Sequence, residues 1–214
     1  MKTFEEFVVA QMGGRIGNMA YERGMYAAYC RAFEVVPIMD GVGVPYQVVG
    51  GVAVNAYLLR EHRDLTFVPG PIDFLLEREH LALVVAAVER EGYATQKALG
   101  SHDIICPGQH TALAMHIIFA RERTKSTQPL VNPEVRPERK DFFGVSIPVI
   151  PLDDLILMKL TSFRPKDVVY LQTLADAGLI TEQIVDSLPE VLRPRWEHAK
   201  RQFLESLPDV EQPD

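Results

Sequence analysis

The stretch "VVGGVAVNAYLLREHRDLTFVPGPIDFLL", Val48 to Leu76, decides how this chain is read. "YQVV", Tyr46 to Val49, has the length and β-branched content of a short buried strand, and the doubled glycine after it, Gly50 and Gly51, opens a helix reaching to about Glu61. Glycines at a strand-to-helix turn let the backbone approach a ligand closely and aim free amide groups at it, which favours a phosphate; they serve helix–sheet packing equally well. "PIDFLL" is a second strand with one carboxylate, Asp73, among Ile72, Phe74, Leu75 and Leu76. A carboxylate so placed must find water, a cation or a hydrogen-bond donor. It is suited to a divalent metal beside a phosphate turn, or to capping a backbone amide at the strand's end.

Working outward, the apolar spacing Tyr21, Met25, Ala28, Tyr29, Ala32, Phe33 predicts a helix from an Asn18 N-cap to Val36, ended by Pro37. The preceding "GGRIGN", Gly13 to Asn18, lacks a strand leading into it and reads as a turn rather than a phosphate loop. "EREHLALVVAAVEREG" predicts a helix closed by Gly92, and "YATQKAL", "HDIICP", "ALAMHIIFA" and "FFGVSIPVI" predict further strands. Thr124 to Lys140, polar and proline-rich, reads as a long loop. Its basic residues, Arg123, Lys125, Arg136, Arg139 and Lys140 in or beside it, are either solvated charge or a cover for an anionic ligand. After Pro151 the pattern becomes wholly helical. The expected class is therefore α/β or α+β: residues 1–150 form a mixed sheet flanked by helices, and residues 151–214 a C-terminal helical region.

Composition narrows the function. A chain of 214 residues with 47% hydrophobic and 24% charged residues is ordinary globular material. Its net charge of −7 argues against bulk nucleic acid as a partner. Cys30 and Cys106 form no CxxC pair and read as buried thiols. Acidic Glu5 and Glu6 stand where a signal peptide needs positive charge, and no apolar run approaches about 18 residues, so a cytoplasmic protein without a membrane span is expected.

In the helical region, Lys159 lies on the apolar face of its helix, where an ammonium either snorkels to water or meets a phosphate. Arg164, Lys166 and Asp167 crowd the start of the next helix, which explains Asp167 structurally as well as functionally.

The order "VVGGVAVNAYLL", "IDFLL", "AMHIIFA", "IPLDDLILMKLTSFRPKDVVYLQTL" resembles the nucleotidyltransferase-fold superfamily, particularly its minimal and abortive-infection, toxin-like branches, over roughly Tyr46 to Gly178. The resemblance implies a phosphate-contacting glycine pair at Gly50 and Gly51, a metal-binding and catalytic Asp73, a helical Lys159, and a closing element in Arg164 and Asp167. It also implies nucleotide binding and a divalent metal, magnesium or manganese, with zinc less suited. Any link to toxin–antitoxin systems follows from analogy alone.

Three departures stand out. Pro71 replaces the first Asp of the family's DxD, His116 replaces the third, and Tyr170 replaces the second acid of the closing element. Two magnesium ions bring about +4 of charge that one Asp cannot hold. Proline offers no charge and marks a bulge or an edge. His116 suits manganese or zinc better than magnesium, with His102 or His110 as further nitrogen ligands, or is simply a satisfied core residue. The expectation is a degenerate site that binds a nucleotide or a protein partner. The alternative is an active enzyme moving a nucleoside monophosphate from a triphosphate to a protein, RNA or small-molecule acceptor.

Overall fold

The computed structural model describes residues 1–12, 19–108 and 114–206. The turn at Gly13–Asn18 and His110 lie outside the described residues. Two compact units divide the chain, Met1–Leu155 and Ile156–Asp214.

The first unit is built on a seven-stranded mixed sheet in the order β3-β4-β5-β2-β1-β7-β6. Its strands are β1 (Tyr46–Val49), β2 (Asp73–Leu76), β3 (Ala94–Ala98), β4 (Ser101–Ile105), β5 (Met115–Phe119), β6 (Glu138–Phe142) and β7 (Val145–Val149). β1 runs antiparallel to β2 and parallel to β7, and β2 runs parallel to β5. β1 and β2 are therefore central, and their buried runs Val48–Val49 and Phe74–Leu76 reflect burial on both faces. Pro71 precedes β2 instead of sitting in it, so the expectation of a bulge or an edge strand at this position is corrected. A residue without an amide hydrogen is harmless outside the ladder.

Helices α1 (Phe4–Met12), α2 (Met19–Val42), α3 (Gly50–Leu58) and α4 (Leu81–Arg90) accompany the sheet. α2 does not stop at Pro37 as the sequence predicts; the proline lies inside the helix. Packing explains this. Ala32, Val35, Val36 and Met39 continue one buried stripe through the proline, and Tyr46 Oη donates to Asp40 Oδ1 at 2.8 Å, tying the last turns to β1. Burial of that stripe outweighs the roughly 3 kcal/mol that an interior proline costs.

The predicted strand "FFGVSIPVI" is in fact half of a hairpin. β6 and β7 pair antiparallel across a turn at Phe143 and Gly144, both with positive φ. β6 hides in the polar segment read as loop because an edge strand carries charge, here Glu138, Arg139, Lys140 and Asp141. The rest of that loop is pinned down. Buried Asn132 donates to Phe119 O at 2.9 Å, and fully buried Gln47 donates to Glu134 O at 3.2 Å while accepting from Arg136 N at 2.8 Å.

α5 (Leu152–Ser162) runs from the first unit into the second, which continues with α6 (Pro165–Asp176), α7 (Glu182–Asp186) and α8 (Arg193–Ser206). Within the second unit, Arg195 Nη1 donates to Leu160 O and Thr161 O at 2.8 and 2.7 Å, holding the start of α8 on the end of α5. No described helix is long and apolar enough to cross a membrane.

Candidate functional site

Register builds the site. Val49 faces Asp73 across β1 and β2, Asp73 faces His116 across β2 and β5, His116 faces Asp103 across β5 and β4, and Asp103 faces Gln96 across β4 and β3. Directly paired residues project to the same side of a sheet. One face thus carries a row running Gln96, Asp103, His116, Asp73, Val49, which ends where α3 begins.

At that end the local geometry demands glycine. Gly50 has φ +75°, and a β-carbon there would lie 2.6 Å from Asp73 Oδ2. Val49 caps α3 without a side-chain hydrogen bond, and the closeness of Asp73 Oδ2 to Gly50 sets the carboxylate beside the first residue of this helix, at its positive end. Gly50 and Gly51 form the turn as the sequence predicts.

At the other end, His116 Nδ1 lies 2.9 Å from Asp103 Oδ1. Asp103 is held in turn by Gln96 Nε2 at 3.2 Å and Ser101 Oγ at 3.3 Å. Burial pushes the Asp103 carboxyl up, but hydrogen bonds from His116, Gln96 and Ser101 and the charge of His116 outweigh it and hold the group below the usual carboxylate range. An ionised carboxylate only accepts, so the hydrogen of this contact is on His116 Nδ1. The imidazole side chain is 44% exposed and the Asp103 side chain only 10%. Asp103 was not singled out in the sequence. The alternation in "HDII" marks it as a polar residue on a strand face, but its partner is set by register alone.

That alternation also separates His102 from the site. His102 pairs with Ile117, which places it on the opposite face from His116, with Nε2 buried and without a hydrogen-bond partner among the described residues. It cannot join Asp73 and His116 around one ion. Among the described residues no three His, Cys, Asp or Glu side chains form a group that would hold a metal. The row offers one carboxylate beside α3 and one imidazole. Pro71 contributes no charge, and Asp103 is occupied by three donors. This donor set does not fit a pair of magnesium ions, which require several anionic oxygens.

The helical unit places Lys159, Arg164 and Asp167 together. Asp167 is fully buried and accepts from Ser162 Oγ at 2.7 Å and from Arg164 N, Nε and Nη2 at 3.1, 2.7 and 3.1 Å, while Lys159 Nζ stands 3.5 Å from Oδ1. Burial raises the Asp167 carboxyl, but the Arg164 hydrogen bonds, the Lys159 charge and Ser162 reverse this and hold it low. Asp167, at the third helical position, closes the start of α6 by accepting from the amide of its N-cap residue Arg164, with Pro165 in the first turn. Lys159, on the buried face of α5, lies 4.5 Å over the Tyr170 ring. Tyr170 serves this lysine as an aromatic neighbour.

The basic residues of the long loop are largely committed within the first unit. Arg136 Nη2 meets Asp154 Oδ2 at 2.6 Å, Arg139 Nη2 meets Asp40 Oδ1 at 2.7 Å, Lys140 Nζ meets Glu138 Oε2 at 2.9 Å, and Arg123 Nε donates to Gln128 O at 3.0 Å.

No protein-family profile matches this sequence, and no curated protein matches it. Solved structures do. The solution structure of the antibiotic-resistance factor ANT(2'')-Ia, described as having substrate-regulated conformation dynamics, aligns at a TM-score of 0.52 and 17% identity, over 82% of this chain and 94% of that one. The crystal structure of ANT(2'')-Ia in complex with adenylyl-2''-tobramycin aligns at 0.50 and 17%, over 78% and 95%. This chain has the nucleotidyltransferase fold. At such low identity the likeness carries the architecture of the sheet and its helices, and leaves activity and substrate to the site itself.

Proposed function

We propose that this protein binds a nucleotide, or a partner protein, through the residual site at the start of α3, and that the site is degenerate for two-metal nucleotidyl transfer. The observation that carries this reading is the row on the sheet. It has one carboxylate beside Gly50, a proline outside the strand where a second would stand, and a histidine tied to Asp103 where a third would stand. The α3 amides at Gly50 and Gly51 would contact phosphate. Thermal-shift measurements with ATP, GTP, CTP and UTP test the reading. A ligand bound only by the folded state stabilises it by about 2.7 kcal/mol at 100 times its Kd. An unchanged melting temperature with all four triphosphates, with and without magnesium or manganese, removes the nucleotide arm.

A second reading is transfer of a nucleoside monophosphate to a hydroxyl acceptor, and the Asp103–His116 contact favours it. Pyrophosphate release from a triphosphate that disappears in Asp73→Ala supports it; release that persists in that variant counts against it.

A further inference from the structure

We propose that His116 Nε2 is the proton acceptor for a hydroxyl compound at this site, and that Asp103 is the positioning residue that holds the imidazole to that task. The inference rests on the transfer reading and goes beyond degeneracy, because it names what the departure from the family's third acid supplies. A carboxylate at position 116 would serve by holding metal charge. An imidazole cannot take that part with magnesium, but with Nδ1 held by the Asp103 carboxylate the ring is oriented for its other nitrogen to accept a proton. Three observations converge on this. The Nδ1 to Oδ1 separation is 2.9 Å, Asp103 is itself clamped by Gln96 and Ser101, and the ring is half-exposed in the row that leads through Asp73 to the amides of α3. The logic is that of any base whose second nitrogen is anchored by a buried acid.

The step balances without an added oxidant or reductant. As the acceptor's oxygen forms a bond to the α-phosphorus of a nucleoside triphosphate, its proton passes to His116 Nε2. The bond from the α-phosphorus to the bridging oxygen breaks, and pyrophosphate leaves with that electron pair. The imidazolium then returns its proton to solvent.

The test measures pyrophosphate release from ATP, GTP, CTP and UTP in manganese or magnesium buffer, with water and glycerol as hydroxyl probes. It compares wild type with His116→Ala, His116→Gln and Asp103→Asn. Circular dichroism confirms folding, and His102→Ala, on the opposite face, is the control. The expected result is a kcat loss of about 100-fold or more in both His116 variants, the typical contribution of a general base, with KM for the triphosphate little changed. Asp103→Asn should lower kcat by a smaller factor. It should also shift the His116 ring nitrogens in ¹⁵N NMR away from the Nδ1-protonated form expected of wild type, which a merely structural role would not do. Wild-type turnover in folded His116 variants overturns the proposal and leaves the transfer reading standing. Triphosphates that raise the melting temperature of wild type without any pyrophosphate release overturn the proposal and the transfer reading together, and leave nucleotide binding intact.

Discussion

Replacing Asp167 with alanine removes a fully buried carboxylate that serves two cations, a hydroxyl and a backbone amide at the junction of α5 and α6. The magnitude follows from which of these contacts is buried. Arg164 is about half exposed, so its pairing adds at most about 1 kcal/mol. Lys159, with a side chain only 5% exposed, loses the carboxylate it faces, and breaking a buried pair in this way costs about 3 to 5 kcal/mol. Loss of the α6 cap, about 0.5 to 2 kcal/mol alone, overlaps with that figure because the same carboxylate does both. The expected total is about 3 to 5 kcal/mol, a large part of the roughly 5 to 15 kcal/mol that holds a domain together. Trp196, the sole tryptophan, is buried in α8 of the same unit, so urea unfolding followed by its fluorescence reads the effect directly. The double variant Asp167→Ala/Lys159→Met should recover stability, because it removes the ammonium left facing an apolar side chain. A single-variant cost under about 1 kcal/mol, or a double variant no more stable than the single, refutes the reasoning. The pH dependence has a defined sign. Asp167 has a lowered folded-state pKa, so its contribution is complete above the unfolded-state value near about 4 and is lost as pH falls through the lower folded value. The wild-type advantage over Asp167→Ala should therefore shrink only in the acid range below about pH 4.

Three further outcomes are expected. Gly50→Ala forces φ +75° on an L-residue and drives a β-carbon into Asp73 Oδ2, so it should cost at least about 1 to 2 kcal/mol in denaturant unfolding; a neutral result removes the case for glycine at this turn. Pro37→Ala restores a missing amide at an exposed interior position of α2 and should raise stability by up to about 3 kcal/mol in the same assay. Gln47→Leu strips the loop of its two part-buried bonds to Glu134 O and Arg136 N, worth about 0.5 to 1.5 kcal/mol each, and limited proteolysis should then cut faster between residues 124 and 137.

Much of the fold is local and so was legible in the chain. "YQVVGGVAV" reads as strand, turn and helix because the β-branched run, the glycine pair and the apolar period act within a few residues. "RPKD" announces the start of α6 because cap, first-turn proline and acid are neighbours in sequence. The exceptions depended on distant partners. α2 continues through Pro37 because its buried stripe outweighs a local breaker, and β6 was masked because the charge that protects a sheet edge resembles a solvated loop.

For the candidate site the division is sharper. The residues themselves placed Gly50 and Gly51 at a strand-to-helix turn and Asp73 on the next strand, and the resemblance to nucleotidyltransferases marked Pro71 and His116 as positions where acids are expected. They did not determine the surroundings of His116, since a histidine on an apolar strand reads first as a satisfied core or edge residue and only then as a metal ligand. Register across β3, β4, β5 and β2 decided which groups surround its ring. It put His102 on the far face and brought Asp103 within 2.9 Å of the ring. A side chain's type is written in the chain, but the chemistry of an imidazole depends on which group takes its other nitrogen, and strand pairing is what supplies that group.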